Sequence, residues 1–183
     1  MKHVPNILST LRLLLCPVFI WVFFAFDPML AFLVFLFASL LDVADGFIAR
    51  KYNAISNFGK IMDPLADKAL QISGVLCLSI SGILENYLLL IILCAKEFFV
   101  VAGGALVSKK IKAMVISNAF GKFASFFMSF CICLMFFSGE NGWLAQFNKE
   151  LNILIYIALV LSVIAMIQYT VIGLKKMKNQ QDK

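Results

Sequence analysis

The chain has 183 residues, a formal net charge of +6, 62% hydrophobic residues and only 14% charged ones. A water-soluble domain carries about 25% charged residues, so this composition, with a mean hydropathy of +0.96, argues against one and makes the bilayer the expected solvent. It also turns the positive balance away from nucleic acid and toward membrane topology and anionic headgroups.

A spanning helix needs about 20 mainly apolar residues, and six of them with short loops use up the chain. The expectation is a single membrane-embedded domain over residues 1–183, an all-α integral membrane protein of six transmembrane helices. The first apolar segment covers 7–26. Lys2, His3 and Arg12 accompany it and no small-residue cleavage site follows, so it is expected to be a retained helix rather than a cleaved signal. Asn6, Ser9 and Arg12 stand at its membrane entry, where capping and snorkelling account for them as readily as a ligand does. Asp27-Pro28 makes a turn, and the second segment covers 29–49. A polar run from Arg50 to Lys60 leads to the third, 62–82. Ser81-Gly82 and Glu85-Asn86 separate it from the fourth, 86–107, and Lys109, Lys110 and Lys112 precede the fifth, 117–138. The longest connection, Ser138 to Glu150, leads to the sixth, 151–173. These are helices because backbone in lipid must satisfy its own hydrogen bonds, and the short alternating strands of a barrel are missing.

With six spans, the N-terminus, second loop, fourth loop and C-terminus share one side. That side holds 14 of the 16 Lys and Arg residues; the opposite side has Lys149, and Lys96 falls inside a span. The positive-inside rule makes the rich side cytoplasmic, with both termini on it. Cys16, Cys77, Cys94, Cys131 and Cys133 all lie in apolar segments without a C-x-x-C spacing and read as small buried hydrophobes.

Chemistry concentrates in two short stretches. Asp42 and Asp45 are spaced i, i+3 near the end of the second segment; Asp63 and Asp67 are spaced i, i+4 at the start of the third. Each spacing puts its pair on one helix face, and a short cytoplasmic loop lets the pairs converge at that edge of the membrane. A charged Asp inside a spanning helix costs about 2.5–3.5 kcal/mol, and two like charges about 4 Å apart repel by about 4 kcal/mol at an effective dielectric near 20. Protonation or a bound divalent cation relieves this, and oxygen-only ligation suits Mg²⁺ or Mn²⁺. Gly46 and Ala49 follow Asp42 at one-turn steps and permit close approach of a ligand or of another helix. Asp63 before Pro64 also fits a helix cap. Lys96-Glu97 is an ionisable pair inside the fourth segment; because adjacent residues do not share a helix face, mutual neutralisation is not expected.

The run Asp42-Val43-Ala44-Asp45-Gly46-Phe47-Ile48-Ala49-Arg50, with Gly59, Asp63 and Asp67 following at fixed spacing, resembles the signature of the CDP-alcohol phosphatidyltransferases, D-x-x-D-G-x-x-A-R-x8-G-x3-D-x3-D. Every signature position is filled. The resemblance implies that Asp42, Asp45 and Asp63 are ligands to Mg²⁺ or Mn²⁺, two ions in all, with Asp67 near the metal and acting as general base. It implies that Asp42, Gly46, Ala49, Arg50 and Gly59, with Asn6 and Ser9, contact a CDP-linked lipid. An acceptor hydroxyl then attacks the β-phosphorus and CMP leaves. It also implies a homodimer in the cytoplasmic membrane.

Within the family, Asp63-Pro64-Leu65-Ala66-Asp67-Lys68 and the opening Pro5-Asn6-Ile7-Leu8-Ser9 resemble the phosphatidylglycerophosphate synthase branch. That branch implies CDP-diacylglycerol as donor and sn-glycerol 3-phosphate as acceptor, with Arg12, Arg50, Lys60, Lys96, Lys110 and Lys122 as candidate cations for the acceptor phosphate. The chain departs from the branch at Lys96-Glu97, where Arg-Glu is usual, and at Gly103-Gly104, where a further Arg is usual. It departs again at Ala124 and Ser125, which replace a Lys and a Thr. Cardiolipin synthases, which share D-P-x-A-D-K and use phosphatidylglycerol, are the alternative. A divalent cation transporter is the alternative of another class; it requires acids near the midplane and a polar route to both sides, neither of which the sequence offers.

Overall fold

The computed structural model describes the backbone of residues 4–51, 59–84, 86–111, 119–139 and 142–181. The side chains of 4–7, 9, 42–51, 59–64, 101–111, 119 and 173–181 lie outside the described set. The described residues form α1 (Val4–Ala25), α2 (Pro28–Lys51), α3 (Gly59–Ile80), α4 (Leu88–Ile111), α5 (Ala119–Met135), a 3-10 turn (Ala145–Phe147) and α6 (Asn148–Gln181), with no strand among them.

The expected helices are present, but several are longer than their apolar segments. α3 begins at Gly59, and α6 continues to Gln181. A helix satisfies its backbone locally in water as well as in lipid, so hydropathy marks the apolar stretch and not the helix end. Asp63 is accordingly the fifth residue of α3 and does not cap it, which corrects that reading of Asp63-Pro64. Asp27 is the residue that caps: its Oδ1 accepts from the Met29 N–H at 3.0 Å, directly ahead of Pro28 at the first position of α2. Gly82 ends α3 in the left-handed region at φ 76°, and the Leu84 N–H returns to the Leu78 carbonyl.

The helices alternate in direction. Phe19 and Phe23 near the end of α1 meet Phe35 of α2 and Phe136 just past α5. Asn152, early in α6, donates to the carbonyl of Ile83 in the turn after α3. These contacts gather five helix termini at one end of the bundle. α3 is the central element, touching α1, α2, α4 and α5. Among the described residues it exposes large apolar side chains only at Leu65 and Ile80. Gly74 allows its close packing: a Cβ there meets Ile132 Cγ2 at 2.8 Å and Phe35 Cε2 at 3.0 Å.

The outer surface is apolar. Trp21, Phe37, Ile91, Phe98, Phe126 and Ile153 project from the other five helices, far more than the scattered exposed apolar residues of a soluble monomer. Among the described residues one helical stretch, Ala145–Ile172, is long and apolar enough to cross a membrane, with a mean hydropathy of 2.4. Thr10–Ala25, Pro28–Leu41 and Phe120–Met135 are shorter apolar runs. The expectation of six helices holds, while among the described residues length and composition pick out one span. The cysteines are all free; Cys94 is exposed, Cys133 half-buried and the others buried.

Candidate active site

The aspartates lie on two consecutive helices that touch. Asp42, Asp45, Gly46, Ala49 and Arg50 are on α2, and Gly59, Lys60, Asp63 and Asp67 are on α3. Both helices extend past the acids. Asp67 is eight residues into α3, about 12 Å along it at 1.5 Å per residue. Of the four, only Asp67 has a described side chain; those of Asp42, Asp45 and Asp63 lie outside the described residues, as do those of Asn6, Ser9, Gly46, Ala49, Arg50, Gly59, Lys60 and Lys110. Among the described residues no group of three His, Cys, Asp or Glu is placed to hold a metal.

Around Asp67 the side chains form a continuous ionic chain. Asp67 is partly open to the outside, and its Oδ2 lies 3.5 Å from Lys68 Nζ. Lys68 Nζ donates to Ser125 Oγ of α5 at 2.5 Å and lies 3.6 Å from Glu97 Oε1 of α4. The same Glu97 oxygen is 2.5 Å from Lys96 Nζ. Gln71, one turn beyond Asp67, donates through Nε2 to the Ser125 carbonyl and to Ser129 Oγ, both at 3.0 Å. Glu97 and Lys96 are buried, at 4% and 7% exposure. Charges at that depth are tolerated only when paired and hydrogen-bonded.

This geometry corrects one expectation. Lys96 and Glu97 do pair although they are adjacent, because both side chains are long enough to curl toward one point beneath α3. Of the other candidate cations, Arg12 is fully buried on α1 and Lys122 is exposed early in α5. Neither belongs to the chain of contacts just traced.

The sequence singles out Lys96-Glu97 as an ionisable pair, Lys68 as the end of the Asp63–Lys68 motif and Ser125 as a departure from the family pattern, but it does not connect them, and Gln71 goes unnoticed. The available signal was polar periodicity: Lys68 and Gln71 are spaced i, i+3 and Ser125 and Ser129 i, i+4 in otherwise apolar helices.

Comparison with known proteins agrees with the signature. The family model described as CDP-alcohol phosphatidyltransferase matches residues 2–171. The chain is 31% identical to a CDP-diacylglycerol–glycerol-3-phosphate 3-phosphatidyltransferase of Aquifex aeolicus, over 94% of this chain and 97% of that protein. It is likewise 31% identical to the Rickettsia typhi protein of the same name, over 92% and 96%. It is 32% identical to a cardiolipin synthase (CMP-forming) of Streptomyces coelicolor, over 78% of this chain and 69% of that protein. With every signature position filled on two touching helices and a family match along almost its whole length, the chain belongs to the CDP-alcohol phosphatidyltransferase family.

Proposed function

We propose that this protein transfers the phosphatidyl group of CDP-diacylglycerol to sn-glycerol 3-phosphate, giving phosphatidylglycerol phosphate and CMP. The observation that carries the reading is the intact signature together with Asp63-Pro64-Leu65-Ala66-Asp67-Lys68, in a chain that matches the Aquifex and Rickettsia proteins nearly end to end. The apolar outer surface supports a single multi-pass membrane domain, and the one-sided distribution of Lys and Arg supports the cytoplasmic membrane with both termini inside. A homodimer is the expected assembly by resemblance to the family.

Asp42, Asp45, Asp63 and Asp67 offer an oxygen-only donor set, which suits two Mg²⁺ or Mn²⁺ ions. When bound, such ions neutralise charge on the diphosphate and stabilise the departing phosphate. The residues of the chain do the rest. Gly46 and Ala49 leave room on α2 for the cytidine nucleotide, and Arg50 and Gly59 border it. Asp67 takes the proton of the acceptor hydroxyl as its oxygen bonds to the β-phosphorus; the bond from that phosphorus to the CMP oxygen breaks, and CMP leaves with the electron pair. Lys60, Lys110 and Lys122 are the candidate cations for the acceptor phosphate; Lys96 is buried against Glu97 and Arg12 is buried on α1.

A second reading is supported by the Streptomyces relative. Ala124 stands where the synthase branch carries a second Lys, which leaves one cation fewer for the phosphate of glycerol 3-phosphate and favours a lipid alcohol such as phosphatidylglycerol. One assay separates the readings. Purified protein is given labelled CDP-diacylglycerol and Mn²⁺ with glycerol 3-phosphate, phosphatidylglycerol, serine or inositol phosphate in parallel. CMP release with glycerol 3-phosphate is expected. Release only with phosphatidylglycerol establishes the second reading, and no release with any acceptor defeats both, leaving the transporter to be tested by ion flux.

A further inference from the structure

Glu97 has no part in the reaction described above, yet it is a nearly fully buried carboxylate on a helix whose next two residues, Phe98 and Phe99, face outward. Its Oε1 is approached by two ammonium groups from different helices, Lys96 of α4 and Lys68 of α3. Lys68 is in turn fixed from the other side by Ser125 of α5, and Gln71 binds the Ser125 carbonyl and Ser129. Lys68 thus sits in a three-sided seat: a carboxylate from α4, a hydroxyl from α5 and the Asp67 carboxylate of its own helix. Asp67 meets Lys68 through Oδ2.

We propose that Glu97 is a positioning residue: it seats Lys68 against Ser125 so that one oxygen of Asp67 is anchored and the carboxylate is held in a fixed orientation toward the acceptor. The inference rests on the reading of Asp67 as the base. Charge balance supports it, since two lysines against Asp67 and Glu97 are neutral overall. Removing the Glu97 charge leaves Lys68 and Lys96 sharing Asp67, and Lys68 has no reason to stay on Ser125. Misplacement of a reacting group by about 1 Å costs about 10²-fold in rate, so an effect on turnover rather than on donor binding is expected.

The test uses full-length protein in detergent micelles with CDP-diacylglycerol, glycerol 3-phosphate and Mn²⁺, in the wild type, Glu97→Gln, Glu97→Asp, Ser125→Ala and the Glu97→Gln/Ser125→Ala double variant. Glu97→Gln is expected to lower kcat by about 10–100-fold while the KM for CDP-diacylglycerol stays within about threefold, and Glu97→Asp to recover part of the loss. Because Glu97 and Ser125 act on the same ammonium, their effects are expected to be strongly non-additive. An activity-independent readout accompanies this. Reductive methylation mapped by mass spectrometry is expected to modify Lys68 several-fold faster in Glu97→Gln than in wild type, with exposed Lys149 unchanged. If Glu97→Gln does not fold, the same comparison is made on Glu97→Asp, with smaller shifts in the same directions. Unchanged Lys68 labelling, additive effects, or faster labelling with normal kcat each overturn the proposal. If the wild type itself releases no CMP with any acceptor, the reading of function fails and the proposal falls with it, whatever the labelling shows.

Discussion

The two ends of the bundle are held together in opposite ways. Where α1, α2 and α5 converge, Phe19 stacks edge-on against Phe35 at 5.6 Å and Phe136 at 5.8 Å, and the cluster is buried and apolar. Where α3, α4 and α5 converge, the joint is Lys68, Glu97, Lys96, Ser125 and Gln71. The first joint is additive packing of many weak contacts and depends on shape. The second is a few strong, mutually dependent charges, where losing one partner strands another. The aromatic end therefore fixes the fold, and the ionic end is placed to orient the Asp67 carboxylate, the proposed base.

Substitutions can break this contrast. The largest expected effect is on chemistry: Asp67→Asn is expected to lower CMP release by about 10²–10⁴-fold, the range of general acid–base catalysis. CDP-lipid binding, measured separately by equilibrium binding, should fall much less, and near-normal turnover would remove Asp67 from the base role. Next is Phe19→Ala at the aromatic joint, expected to destabilise by about 3 kcal/mol, read as a lower Tm in detergent with activity per folded molecule retained. A loss of kcat without a loss of Tm would show that the two joints are not separable.

Gly74→Ala sharpens the comparison further. The new methyl meets Ile132 and Phe35 at under-contact distance, so overpacking of about 1–3 kcal/mol is expected. An unchanged Tm would mean that α3 and α5 shift apart freely, and the ionic joint should then lose activity in the same variant. The smallest effect belongs to Asn152→Ala, which removes donations to the Asn148 and Ile83 carbonyls. About 1 kcal/mol of stability is expected to be lost, with catalysis untouched because the contact lies at the end remote from Asp67.

Much of this was legible from residues alone. Asp27-Pro28 and Ser81-Gly82 announced their turns because capping and a left-handed glycine are local chemistry. The signature from Asp42 to Asp67 was legible because its spacing maps directly onto helix faces. Helix ends such as Gly59 and Gln181 were not, since polar residues extend a helix without any change in hydropathy to mark the boundary. The Lys96–Glu97 pair was misjudged because face rules describe Cβ directions, while long side chains bend to a common point.

The sequence by itself determined the helical class, the apolar exterior and the family, because each depends on composition or on spacing within one helix. It also named the four aspartates. Only the tertiary structure decided that Lys68 reaches Ser125, 57 positions away, and that Glu97 lies between two lysines. Those partners come from three helices whose rotation and depth are set by packing such as Gly74 against Ile132. No periodicity within a single helix encodes how far it turns against its neighbours.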